Sequence, residues 1–178
     1  MATIVQQKIS DIDLTEIING EEIMSPSPLS SHQEILLELT SSMRNFVKSK
    51  NLGKVFISPL DVIFEEGKNR LQPDLIFIRK QNLGIVQDWI RGVPDLVVEI
   101  VSQGSVTLDT VTKKAIYETY GVGEYWIVFP EFACIEIFIL SGNRYELFAS
   151  KEGEGSVTSK MLKGFEVHLK EVFENVNS

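Results

Sequence analysis

The alternation of apolar and polar residues divides this chain into two helices and many short strands. Ile35, Leu36, Leu39, Met43, Phe46 and Val47 recur at helical spacing and predict a helix from about Ser30 to Lys50, stopped by Gly53. Ahead of it, Leu14 to Met24 reads as a hairpin turning at Asn19-Gly20, and Ser25-Pro26-Ser27-Pro28 breaks regular structure. Strands follow at Val55–Ile57 and Asp61–Phe64, then a polar turn over Glu65–Asn69 leads to a strand that contains Asp74. The stretch 79–92 is mixed, with a short helical or irregular piece around Val86–Ile90. An apolar strand then runs from Val93 to Val101. A loop over Ser102–Val106 and a second helix over Leu108–Tyr120 follow, closed by Gly121-Val122-Gly123. Glu124–Phe129 is a strand halted by Pro130, and Ile135–Leu140 with Arg144–Ala149 forms a hairpin around Ser141-Gly142-Asn143. A strand-like piece and an amphipathic Leu169–Phe173 end the chain.

This order predicts an α/β (α+β mixed) fold around one sheet. The helix between the Glu99 strand and the Trp126 strand predicts a crossover with those two strands parallel. There is no internal repeat and no linker, so residues 1–178 read as one domain with its core over about 14–174.

Two acids stand where the pattern is most apolar. Gln72-Pro73-Asp74-Leu75-Ile76-Phe77-Ile78 and Val93-Pro94-Asp95-Leu96-Val97-Val98-Glu99-Ile100-Val101 each start at a Pro-Asp pair and continue in β-branched and apolar residues. Successive strand residues alternate faces, so Asp95, Val97, Glu99 and Val101 share one side, and Asp74 shares a side with Ile76 and Ile78. Burying such a carboxylate is costly unless something binds it. If the two strands are neighbours in suitable register, Asp74 and Glu99 converge. With a backbone carbonyl and waters they make a hard-oxygen site suited to Mg²⁺ or Mn²⁺, and hence to phosphate chemistry. Asp74 and Asp95 can also be read as strand starters after a proline turn. A mid-strand Glu99 has no such role.

Composition narrows the class. The chain has 25 acidic and 17 basic residues, a net charge of −8, which argues against a strong non-specific nucleic-acid binder but not against a nuclease. The lone Cys134 has no internal disulfide partner, no stretch approaches a membrane span, and the N-terminus lacks a signal-peptide pattern. These features predict a soluble cytoplasmic protein. CxxC, HExxH, P-loop and GxSxG patterns are all missing from the sequence.

Two further residues bear on the chemistry. Asp109, Lys113 and Tyr117 fall on one face of the second predicted helix, where Lys113 can lean toward the carboxylates; the alternative is a solvated Asp109–Lys113 surface pair. His32 shares the buried stripe of the first helix near its start, where it can reach a phosphate or serve as a packing residue. His168 reads as surface.

Asp74 followed by Glu99 resembles the arrangement of PD-(D/E)XK nucleases. The block Gly92-Val93-Pro94-Asp95-Leu96-Val97-Val98-Glu99-Ile100-Val101-Ser102 is followed by Asp109, Lys113 and Tyr117, then Gly121-Val122 and Glu124-Tyr125-Trp126-Ile127-Val128. Together these resemble the Uma-two (Uma2) family of restriction-endonuclease-like proteins. Ile18-Asn19-Gly20-Glu21, Ser25-Pro26-Ser27-Pro28 with His32, and Leu162-Lys163-Gly164-Phe165-Glu166-Val167 agree with it, so the resemblance covers about residues 14 to 174. It implies a restriction-endonuclease-like fold, a central mixed sheet flanked by helices with N- and C-terminal hairpins. It also implies a Mg²⁺- or Mn²⁺-dependent phosphodiesterase acting on nucleic acid, DNA first, with Asp74 and Glu99 as metal ligands. Lys113 would be the catalytic lysine and His32 would stand at the site's edge. The superfamily's usual lysine position is Val101, so the lysine would be displaced onto the following helix. Ser102-Gln103-Gly104 and Phe129 depart from the family, which has a proline after the serine and an aspartate before Pro130. A homodimer is the expected assembly. The alternative class is a non-catalytic binding member that keeps the fold.

Overall fold

A computed structural model of the chain describes residues 14–24 and 27–174. Its elements in chain order are β1 (Thr15–Ile18), β2 (Glu21–Met24), α1 (Ser30–Ser49), β3 (Gly53–Ile57), β4 (Val62–Glu65), β5 (Asn69–Leu71), β6 (Leu75–Arg79), β7 (Ile90–Arg91), β8 (Leu96–Ile100), α2 (Lys114–Tyr120), β9 (Glu124–Phe129), β10 (Cys134–Ser141), β11 (Arg144–Glu152), β12 (Ser156–Thr158), β13 (Glu166–His168) and α3 (Leu169–Phe173). The central sheet has the order β11-β10-β9-β8-β6-β3, and its β8–β9 pair is parallel, joined through α2 as the crossover pattern predicts. The other pairs in it are antiparallel.

The single sheet of the sequence reading becomes more than one. Beside the central sheet stand a five-stranded sheet, β2-β1-β5-β4-β7, and the small β12-β13 pair. The predicted strand through Asp74 begins one residue later, at Leu75, and the end of the predicted polar turn forms β5. Asn69–Leu71 pairs with β1 and β4, whereas Leu75–Arg79 pairs in the central sheet, and Pro73, which cannot donate to a ladder, lies between them. The piece expected to be helical around Val86–Ile90 is instead an isolated bridge between Val86 and Ile90 running into β7, and the helical turn lies earlier, at Lys80–Ile85. Part of the expected break, Ser25-Pro26, lies outside the described residues.

α1 buries Ile35, Leu36, Leu39, Met43 and Val47 against the face of the sheet carrying Leu75, Phe77, Leu96 and Val98. Each such side chain contributes about 1.5–3 kcal/mol by leaving water, so α1 is held firmly and fixes what its first turn presents. Gly53 is not its stop. Asn51 takes the left-handed conformation after the helix (φ 53°), which asparagine tolerates well, and Gly53 opens β3. Gly53 is there for space: a Cβ at that position would sit 2.0 Å from the Ile78 carbonyl oxygen. The opposite face of the sheet packs Val97, Val101 and Ile127 against Ile116, Tyr117 and Tyr125. No helix among the described residues is long and apolar enough to cross a membrane.

Candidate functional site

The ladder between β6 and β8 pairs Leu75 with Val98 and Ile76 with Val97. Continued by one residue, that register sets Asp74 across from Glu99. Residues opposite each other in an antiparallel pair share a face, so the two acids lie side by side. The main-chain N–H of Ile100 donates to Asp74 Oδ2 at 2.7 Å and fixes the carboxylate against β8. His32, on the first turn of α1, places Nε2 3.2 Å from the same oxygen. Asp74, Glu99, Lys113 and His32 all line one cavity of about 470 Å³.

Lys113 is not the solvated residue of the alternative reading. Its side chain is buried, with Nζ 3.0 Å from Glu16 Oε1, 3.2 Å from Glu99 Oε1 and 3.8 Å from Asp109 Oδ1. Three carboxylates thus face the three N–H donors of one ammonium. Residues Leu108–Lys113 form a π-helical turn rather than the first turns of one α-helix, and Asp109 and Lys113 both point inward from it. Tyr117, one turn into α2, donates its hydroxyl to Glu99 Oε1 at 2.5 Å.

Glu16 was not singled out by the sequence reading. It is buried on β1, pairs with Lys113 and accepts the Gln72 main-chain N–H at 2.7 Å. A signal was present. The Asn19-Gly20 turn fixes the hairpin, and alternation puts Glu16 on the side of the buried Ile18. Asp95 shares its strand face with Glu99 but not its surroundings. It accepts the Arg79 N–H and the Asn82 amide, each at 2.8 Å, and holds the turn after β6, away from the cavity. Glu124, also buried, accepts from Trp126, Ser159 and Met161 and is spent on structure. His168 is exposed, as read from the sequence.

The electrostatics follow from four acids around one lysine and one histidine. Burial pushes Glu99 well above the usual carboxylate range; Lys113 opposes this, and the charges of Asp109, Asp74 and Glu16 add to it. Burial also raises Asp109 to about 6, against the opposing pull of Lys113 and of the Ser105 hydroxyl. For Lys113 burial acts downward, but the charges of Glu99, Glu16 and Asp109 outweigh it and raise its pKa. Burial likewise lowers His32, yet the hydrogen bond and charge of Asp74 and the charge of Asp109 carry it above its ordinary value.

This excess of negative charge is what a divalent cation would neutralise. Among the described residues no three His, Cys, Asp or Glu side chains form a ready-made cage. Mg²⁺ does not need one, since it keeps several waters and takes one or two carboxylates plus a substrate phosphate. Two oxygens fit that demand. Both hydrogen bonds of Asp74 fall on Oδ2 and both of Glu99 on Oε1, so Asp74 Oδ1 and Glu99 Oε2 are open donors among the described residues. The all-oxygen pair suits Mg²⁺ or Mn²⁺ rather than a metal that prefers nitrogen or sulfur.

A family model described as "Putative restriction endonuclease" (Uma2) matches residues 6–170. The crystal structure of "a putative nuclease belonging to DUF820" from Anabaena variabilis superposes with a TM-score of 0.76, covering 91% of this chain and 90% of that one at 19% identity. That likeness confirms the fold expected from the sequence. No curated protein matches in sequence.

Proposed function

The chain belongs to the Uma2 family, and on that premise we propose that it is a Mg²⁺- or Mn²⁺-dependent endonuclease that hydrolyses nucleic-acid phosphodiester bonds, those of DNA first. The observation that carries this reading is that Asp74, just before β6, and Glu99, on the neighbouring β8, line one cavity, each with an open oxygen, beside a buried lysine.

Asp74 and Glu99 would hold the ion, which when bound supplies Lewis acidity toward a scissile phosphate. The chain's own residues prepare that arrangement. The Ile100 N–H and His32 orient Asp74. Lys113 and Tyr117 bind one oxygen of Glu99 and stabilise its charged form, leaving the other oxygen toward the cavity. Lys113, whose side chain lines the cavity, would act through its positive field on the charge developing at a bound phosphate or on the attacking water. Glu16 and Asp109 hold the ammonium in place. His32 is held protonated beside Asp74 to a higher pH than a free histidine and would hold that carboxylate in its charged form at the cavity's edge. A cytoplasmic homodimer would offer two such cavities to the two strands of a duplex.

The test is cleavage of mixed DNA and RNA by purified protein with Mg²⁺ or Mn²⁺, and with Asp74→Ala as the control. Metal-dependent cleavage lost in Asp74→Ala is the expected result. Cleavage that persists in the variant would remove Asp74 from the site. No cleavage by the wild type under any of these conditions would favour the non-catalytic binding member.

A further inference from the structure

We propose that the seam between α1 and β3 is the track along which the phosphate backbone of the nucleic acid leaves the cavity. The proposal rests on the nuclease reading of the cavity and adds the surface that holds the substrate beyond it.

The first observation is charge. Residues 39–60 contain Arg44, Lys48, Lys50 and Lys54 and no acid, although the chain as a whole carries 25 acids against 17 bases. In so acidic a protein, a surface with only positive charge is where a polyanion can settle.

The second observation is position. The cavity is walled by Gln33 from α1 and by Ser58 at the end of β3. At the other end of the same two elements lies a groove of about 350 Å³, lined by Arg44 and Lys48 from α1 and by Lys54 from β3. On the helix, Gln33, Leu37, Arg44 and Lys48 fall on one stripe, and Glu34 and Glu38 fall on the next. An acid-free path therefore joins the cavity to the basic groove. β3 is also the outermost strand of the central sheet, so its free edge offers main-chain N–H groups to phosphate oxygens.

The third observation is length. At about 1.5 Å per residue, Arg44 and Lys48 lie roughly 16 and 22 Å along α1 from Gln33. At about 3.4 Å per nucleotide along one strand, this spans about five to seven nucleotides on one side of the scissile phosphate.

The experiment measures binding of labelled duplex DNA, single-stranded DNA and RNA by fluorescence anisotropy between about 50 and 200 mM salt. The proteins are the wild type, the triple variant Arg44→Gln/Lys48→Gln/Lys54→Gln, and a control triple, Lys151→Gln/Lys163→Gln/Lys170→Gln. All six side chains are exposed, so both variants keep the core intact. Loss of three phosphate contacts should lower the salt slope by about 2.7 on duplex, or by about 2 on a single strand. The control should leave the slope near that of the wild type. The strand type on which the slope drops identifies the bound form. An unchanged slope in the groove variant, an equal drop in the control, or no binding by the wild type would each overturn the proposal. Cleavage is scored separately with Asp74→Ala. A wild type that binds through the groove but does not cut refutes the nuclease reading and leaves the groove standing. A wild type that cuts, with a groove variant of unchanged slope, does the reverse.

Discussion

Replacing Asp109 by Asn should stabilise the protein at neutral pH and leave it nearly unchanged in acid. Asp109 is almost wholly buried, and burial raises its pKa from 3.8 to about 6 despite Lys113 and Ser105. Below the lower value the group is protonated in the folded and the unfolded chain, and it contributes nothing to the pH dependence. Between about 4 and 6 the unfolded chain has released its proton while the fold still holds it. Folding then binds the extra proton, so stability falls as pH rises and the loss is complete above about 6. A shift of roughly 2.2 units at about 1.36 kcal/mol per unit is on the order of 3 kcal/mol. Asn keeps the size and the acceptor oxygen for Ser105 but has no charge to bury. Urea denaturation of wild type and Asp109→Asn from about pH 4 to about pH 8 checks this, because the difference between the two curves isolates the one group. The gap should open by up to about 3 kcal/mol in favour of the variant, most of it by about pH 7. Parallel curves over that range, or a gap opening in favour of the wild type, would refute the reasoning.

Three other outcomes follow from the same geometry. Glu99→Gln should be no less stable than wild type without metal and should lose most of the rise in melting temperature that Mn²⁺ gives the wild type, as read by calorimetry with and without the ion. Lys113→Met should remove cleavage and lower stability by about 3–5 kcal/mol in denaturant titration, because it strands Glu16, Glu99 and Asp109 without their shared cation; a variant of wild-type stability would contradict the buried cluster. Gly53→Ala should cost about 1–3 kcal/mol, since its Cβ meets the Ile78 carbonyl and neither backbone can yield freely.

Much of this site could be read from strand alternation. The faces of Asp74 and Glu99 came from a period of two, and the crossover helix between the Glu99 and Trp126 strands implied their parallel pairing, as found. Their register could not be read, because it depends on how β6 meets β8 across the intervening residues 80–95, whose short turn and bridge carry no clear period. The depth of Lys113 was also hidden. Its neighbours Val111 and Thr112 look like any helix surface, and the i, i+4 spacing of Asp109 and Lys113 puts them on one face without showing whether that face is buried. Glu16 escaped for a different reason: its partners are contributed by segments far along the chain, so the hairpin pattern showed an inward acid but not what it met. The second sheet was missed because three-residue β5 and two-residue β7 are too short to show any period.

The cluster around Lys113 also bears on how such a site can be given up. Glu16, Glu99 and Asp109 come from three different segments and share a single ammonium. Loss of that lysine alone leaves three buried acids without a counter-charge, whereas loss of one acid alone relieves part of the negative excess. The lysine is therefore costly to lose first, although an apolar set could replace all four at little cost. A descendant freed from cutting nucleic acid would thus tend to keep the lysine for as long as acids surround it, or to exchange the lysine and the acids together. In this fold the persistence of the acids and the lysine can outlast the activity they served.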